Sequence, residues 1–174
     1  MVLTDEMMKI LEYLNYKEDY AIFAGFAAYV HTTIESSADI DILVKSIKEV
    51  NTISKYFACN GWKKIKTKTD NSSWMISTLD KNNTTFDIIF SKSAEKIILP
   101  KKVKLSFKGK QLYFISKEAL FLSKLIWLAS ENRTEEKIKR DRKVVNILRK
   151  DINLKDLRKL MAEMEDPFWT NGYL

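Results

Sequence analysis

Along the first part of the chain the apolar positions change period several times, and each change marks an element. Met7, Ile10, Leu11 and Leu14 recur at helical spacing behind Thr4, whose hydroxyl can cap a helix, and Asp5 and Glu6 suit the positive end of its dipole. "YAIFAG" then reads as a short buried strand and "FAAYVH" as a helix starting right after Gly25. In "DIDILV", a strand, period two sends Asp39, Asp41 and Leu43 to one face and Ile40, Ile42 and Val44 to the other. Ile47, Val50, Ile53, Tyr56 and Phe57 form one helical stripe, and Gly61 suits the C-terminal cap.

Alternating or apolar segments follow at "WKKIKT", "SWMISTL", "TTFDIIF", "VKLSF" and "QLYFI", separated by turn-like "TDN", "DKNN" and "KGK". They predict a meander of strands, with "SFKGKQLYF" the clearest hairpin, and they place Trp62, Trp74, Phe86 and Phe90 in the core rather than on a base-stacking surface. After Ser116 the period becomes helical through "KEALFLSKLIWLAS", "TEEKIKRDRKVVNILRK" and "LKDLRKLMAEM". In the second of these Ile138, Val145 and Leu148 are expected to face inward, leaving a basic outer face suited to RNA or DNA or simply to solvent. The aromatic "DPFWTNGYL" suits folding back on the core or docking a partner. The expected class is therefore α/β (α+β): a mixed sheet flanked by helices over residues 1–115, and a helical subdomain packed on it over residues 116–174.

Composition narrows this picture. The 174 residues, 45% of them hydrophobic, suffice for one ordinary globular domain. A formal net charge of +7 favours polyanionic partners. Cys59 has no second cysteine to pair with and stands among helix-like residues, so a buried thiol in a reducing cytoplasm is expected. The N-terminus carries acids where an export signal needs positive charge, and the longest apolar stretch, Ala21 to Val30, is far short of the roughly 20 residues that span a bilayer. The expectation is a soluble cytoplasmic protein with no membrane partner.

The chemistry lies in the carboxylates. Asp39 and Asp41, at i and i+2 on a strand, share one face and can hold a divalent cation between them, with substrate phosphates and waters completing the shell. Asp87, in another apolar strand, adds the third carboxylate that two-metal phosphoryl chemistry uses. Ahead of them, the alanine- and glycine-rich turn at Ala24 and Gly25 lets backbone amides approach a ligand closely. The single histidine, His31, is placed to end the short helix and meet its orphan carbonyls.

This order of parts resembles the nucleotidyltransferase fold of the DNA polymerase β superfamily, and within it the minimal and AbiEii-like members. Their motif falls without a gap on Ala24, Gly25, Ala27, His31, Thr32, Glu35, Ser37, Asp39 and Asp41. Gly25, Ala27, His31, Asp39 and Asp41 agree with it; Ala24 and Ser37 are mild changes, Thr32 replaces a glycine and Glu35 an arginine. Further on, Lys124 matches the family's helical lysine, while Arg140 and Asp141 stand for its Lys-Asp pair and Val144 replaces a second acid. The resemblance, over Tyr20 to Leu148, implies nucleotidyl transfer from a nucleoside triphosphate. It implies magnesium or manganese held by Asp39, Asp41 and Asp87, nucleotide contacts at Ala24, Gly25, Ser37 and Lys124, and Asp141 orienting the site. The implied acceptor is an RNA end such as that of a tRNA, a protein side chain or a small molecule such as an aminoglycoside. Some relatives are toxins paired with an antitoxin protein. The alternative is a non-catalytic module of the same fold that binds nucleic acid or a partner protein.

Overall fold

The computed structural model describes residues 3–34, 39–70, 73–129 and 133–163. Helix α1 (Asp5–Leu14) opens with the Thr4 hydroxyl accepting from the Met7 amide at 3.1 Å, and buries Met7, Ile10, Leu11 and Leu14. Strand β1 (Tyr20–Phe23) is buried throughout and runs straight into helix α2 (Ala24–Thr32). Gly25 therefore lies inside the first turn of α2 instead of ahead of it. Strand β2 (Asp39–Val44) leads to helix α3 (Ile47–Cys59), capped by Ser46 and closed by Gly61 at φ +81°.

Strands β3 (Lys63–Thr69), β4 (Trp74–Lys81) and β5 (Thr84–Ser91) form an antiparallel meander, with Asn82 and Asn83 both at positive φ in the tight turn between β4 and β5. A π-helical turn (Ala94–Ile98) and a 3-10 turn (Leu99–Lys101) carry the chain to β6 (Val103–Phe107) and β7 (Lys110–Phe114), a hairpin turning at Lys108 and Gly109. Among the described residues seven strands join one sheet in the order β3-β4-β5-β2-β1-β7-β6. The expected single meander is thus split: β3 to β5 stand at one end, while the β6–β7 hairpin crosses to the other and pairs β7 parallel to β1. The sheet is mixed, since β2 is antiparallel to β1 but parallel to β5.

Helices α4 (Lys117–Leu128), α5 (Glu135–Leu148) and α6 (Leu154–Glu163) follow, the first two packing against one another and against α2. Their caps Ser116 and Thr134 accept from the third amide of each helix. Trp62, Phe86 and Phe90 are buried and Trp74 half-buried, as expected of core positions. Four residues behave differently. Cys59 is exposed, because the end of α3 turns its outer face to solvent. On α5 the buried apolar residues are Val144 and Leu148, with Val145 and Ile138 only half-covered. The imidazole of His31 donates through Nε2 to the Ile115 carbonyl at 2.9 Å, tying α2 to the β7–α4 connection instead of capping its own helix. The "DPFWTNGYL" segment lies outside the described residues.

Candidate active site

Strand pairing assembles the carboxylates. Asp41 and Asp87 are direct Cα partners on adjacent parallel strands, and Asp39 stands two residues before Asp41 on the same face. Beyond Asp87 the same cross-strand row continues through Thr78 of β4 to Lys66 of β3, and beyond Asp41 it reaches Phe23, the last residue before α2. All five of these residues line one open cleft of about 620 Å³. Ala24 and Gly25 form its rim at the start of α2, and Lys124 and Trp127 of α4, Arg133 just ahead of α5, and Lys137 and Arg140 of α5 form a mainly cationic wall with one acid, Glu136.

Behind that wall is a buried charge cluster. Asp141, wholly buried, accepts from Lys124 Nζ at 2.7 Å on one carboxylate oxygen and from an Arg133 guanidinium nitrogen on the other. Both cations also lie over the Trp127 ring, at 4.6 Å for Lys124 and 5.3 Å for Arg133. Burial pushes the Lys124 ammonium down from its usual range, and Asp141 opposes this. Asp141 thus holds two cations at the cleft wall in fixed geometry without itself lining the cleft.

The carboxylates at the floor form no ion pair among the described residues, although Lys124 and Lys137 act on Asp41, and Lys66 on Asp87, from a distance. Part of the Asp41 surface meets cleft water, yet burial, with Asp87 and Asp39 beside it, pushes its carboxyl up to about 8. Asp87 is raised for the same main reason, desolvation, against the opposing hydrogen bond of Thr78, and its Oδ1 is buried with no hydrogen-bond partner. Three acids, one of them with an orphaned oxygen, offer oxygen donors only and fit a hard divalent cation. As the side chains stand, no three such groups among the described residues close into a metal cage. Magnesium does not require one, since it is commonly held by one or two carboxylates together with substrate phosphates.

The structure thus brings Asp39, Asp41, Asp87, Ala24, Gly25 and Lys124 to one cleft and sets Asp141 immediately behind it. Ser37 and Glu35 lie outside the described residues. Sequence reasoning missed Lys66, Trp127, Arg133 and Lys137, which fall in no motif; only Arg140, beside Asp141, carried a signal. Val144, where the motif has a second acid, is buried at 1% exposure and packs in the core.

Comparison with protein-family models gives no match, and comparison with curated protein sequences gives none. Solved structures do match. The antibiotic-resistance factor ANT(2'')-Ia superposes with a TM-score of 0.60 at 11% identity, covering 97% of this chain and 96% of that one. Its complex with adenylyl-2''-tobramycin gives 0.57 at 13%, covering 90% and 89%. An antigenic nucleotidyltransferase-like protein from Paracoccidioides brasiliensis gives 0.54 at 12%, covering 98% and 93%. JHP933 from Helicobacter pylori gives 0.53 at 18%, covering 96% and 78%. Among the described residues, no helix is long and apolar enough to cross a membrane. With the strand order, the carboxylate register and these superpositions in agreement, the chain has the nucleotidyltransferase fold.

Proposed function

We propose that the protein is a metal-dependent nucleotidyltransferase that moves a nucleotidyl group from a nucleoside triphosphate to a hydroxyl acceptor. The observation that carries this reading is the pairing of Asp41 with Asp87, Asp39 alongside, on the floor of a cleft whose wall presents Lys124 and Arg133. Asp39, Asp41 and Asp87 would hold magnesium or manganese, which when bound supplies positive charge to the phosphate oxygens. The α2 turn at Ala24 and Gly25 offers backbone amides to the triphosphate, while Lys124 and Arg133, kept in place by Asp141 and Trp127, neutralise its charge. The acceptor oxygen attacks the α-phosphorus, and the bond from that phosphorus to the bridging β-oxygen breaks. Pyrophosphate leaves with the electron pair, and the acceptor's proton passes to a floor carboxylate and on to solvent.

The resemblance to AbiEii-like members is what supports a toxin-type role with a separate antitoxin. A second reading, a non-catalytic module, is favoured by Val144, whose burial removes an acid that the motif carries. Calorimetry separates the two. The catalytic reading expects magnesium or manganese to bind the wild type together with a non-hydrolysable triphosphate, and Asp41→Asn to abolish the metal-dependent part. It also expects transfer of label from an α-labelled triphosphate to a cellular fraction. If neither metal nor triphosphate binds the folded wild type, the catalytic reading is overturned and the module stands.

A further inference from the structure

The cleft floor is built from three cross-strand rows, and each of them ends at a lysine on the edge strand β3. The Asp39 row runs through Thr85 and Asp80 to Lys63. The Asp41 row runs through Asp87 and Thr78 to Lys66, and the Leu43 row through Ile89 and Ile76 to Lys68. Residues at the same place in a row share a face of the sheet, so Lys63, Lys66 and Lys68 all stand on the face that carries the carboxylates.

A regular strand would not do this. Period two would put Lys64, Lys66 and Lys68 together and send Lys63 to the far face. The register shift between Lys64 and Lys66, which leaves Ile65 outside the pairing, turns Lys63 to the cleft side. Lysines on an edge strand protect it from pairing with another chain, and that accounts for their number. It does not account for a bulge that aligns three of them with the floor. Every residue of β3 is exposed, and none of its lysines forms an ion pair among the described residues. Asp80, beside Lys63, is the one acid between the track and the floor in these rows, and the track remains cationic.

From these rows we infer that the acceptor is a nucleic-acid strand, whose phosphates follow Lys63, Lys66 and Lys68 across β3 and whose terminal hydroxyl reaches Asp87. Lys66 lies two strands from Asp87, about 10 Å at ordinary strand spacing, so a phosphate on Lys66 is within a nucleotide or two of the reacting hydroxyl. The opposite wall, with Lys124, Arg133, Lys137 and Arg140, serves the triphosphate. That wall carries a single acid, Glu136, so above the carboxylate floor the cleft is cationic on both sides, as a polyanionic acceptor requires. Because the contacts are to phosphate, binding depends on salt and little on base sequence.

The inference rests on the nucleotidyltransferase reading, and the experiment keeps the two apart. The wild type and the Lys63→Gln/Lys66→Gln/Lys68→Gln variant, each checked for fold by circular dichroism, are titrated with short fluorescein-labelled RNA and DNA of one sequence across a salt series. Both proteins then receive α-labelled triphosphates and magnesium with RNA, DNA or tobramycin. The expected results are wild-type binding whose salt slope falls by about 2 in the variant, from three lost contacts at about 0.7 each, and label on nucleic acid. Whether RNA or DNA is the better acceptor identifies the source of the strand. An unchanged slope, or label on tobramycin alone, overturns the inference while leaving nucleotidyl transfer intact. A wild type that binds no triphosphate overturns the transfer reading, and the salt slope still decides whether β3 is a nucleic-acid track.

Discussion

Ala24 holds φ at 54° where β1 turns into α2, on the rim of the cleft. For an L-residue this backbone region costs about 1–2 kcal/mol, a strain that glycine escapes. The motif that the chain resembles has glycine there, a residue that adopts this backbone region without strain. Ala24→Gly is expected to stabilise the protein by about 1 kcal/mol, seen as a higher urea midpoint at unchanged slope. A lower midpoint would mean that the methyl group's packing outweighs the strain. His31 makes the pH-dependent case. Burial holds its imidazole below the ordinary 6.5, with Lys117 adding to the effect and the bond to Ile115 opposing it. Over that interval the unfolded chain binds a proton that the folded protein excludes. The neutral ring's contribution is therefore whole above about 6.5 and is lost as pH falls towards the lowered value. Urea unfolding from pH 5 to 8 should show the wild type losing stability on the acid side more steeply than His31→Gln, and parallel curves would refute this.

At the scale of elements, the wall of the site is a helix pair joined by charge. Lys124 on α4, Arg133 in the loop after it and Asp141 on α5 form a buried cluster in which one carboxylate serves two cations. Removing the carboxylate leaves Lys124 buried and uncompensated, which costs about 3–5 kcal/mol. Asp141→Asn is accordingly expected to lose stability on that scale. In conditions where it remains folded, it should also bind triphosphate more weakly, since both wall cations lose their tether. Denaturation and calorimetric titration of one preparation measure both, and unaltered triphosphate affinity in the folded variant would remove Lys124 and Arg133 from the nucleotide site. Helices α1, α3 and α4, with the Thr4 cap and the Gly61 stop, were legible from local spacing because a helix's buried stripe and its terminal groups are satisfied within a few residues. Cys59 and Ile138 were misread because their exposure is decided by where the helix ends and by what packs on it.

For the whole molecule, the floor of the cleft is a place of concentrated like charge. Asp41→Asn relieves that repulsion and is expected to raise the melting temperature in chelator. Magnesium with a non-hydrolysable triphosphate should raise the melting temperature of the wild type, by a margin equivalent to about 2.7 kcal/mol at a ligand concentration 100 times the dissociation constant, and should leave the variant nearly unmoved. Equal ligand-induced shifts in the two proteins would detach the metal from Asp41.

The sequence by itself determined most of the elements, the shared face of Asp39 and Asp41, and the order strand, helix, acidic strand, later acidic strand, because each is a local periodicity or a motif read along the chain. It also singled out Lys124 and Asp141, through resemblance alone. Only the tertiary structure decided that Asp87 pairs with Asp41, that the β6–β7 hairpin leaves the meander for the far side of β1, and that Arg133 shares Asp141 with Lys124. It alone showed that a one-residue bulge turns Lys63 towards the carboxylates. The physical reason is common to all four. Strand register and side-chain pairing are set by contacts between segments far apart in the chain, where a shift of one residue exchanges the two faces of a strand and no local pattern records which register wins.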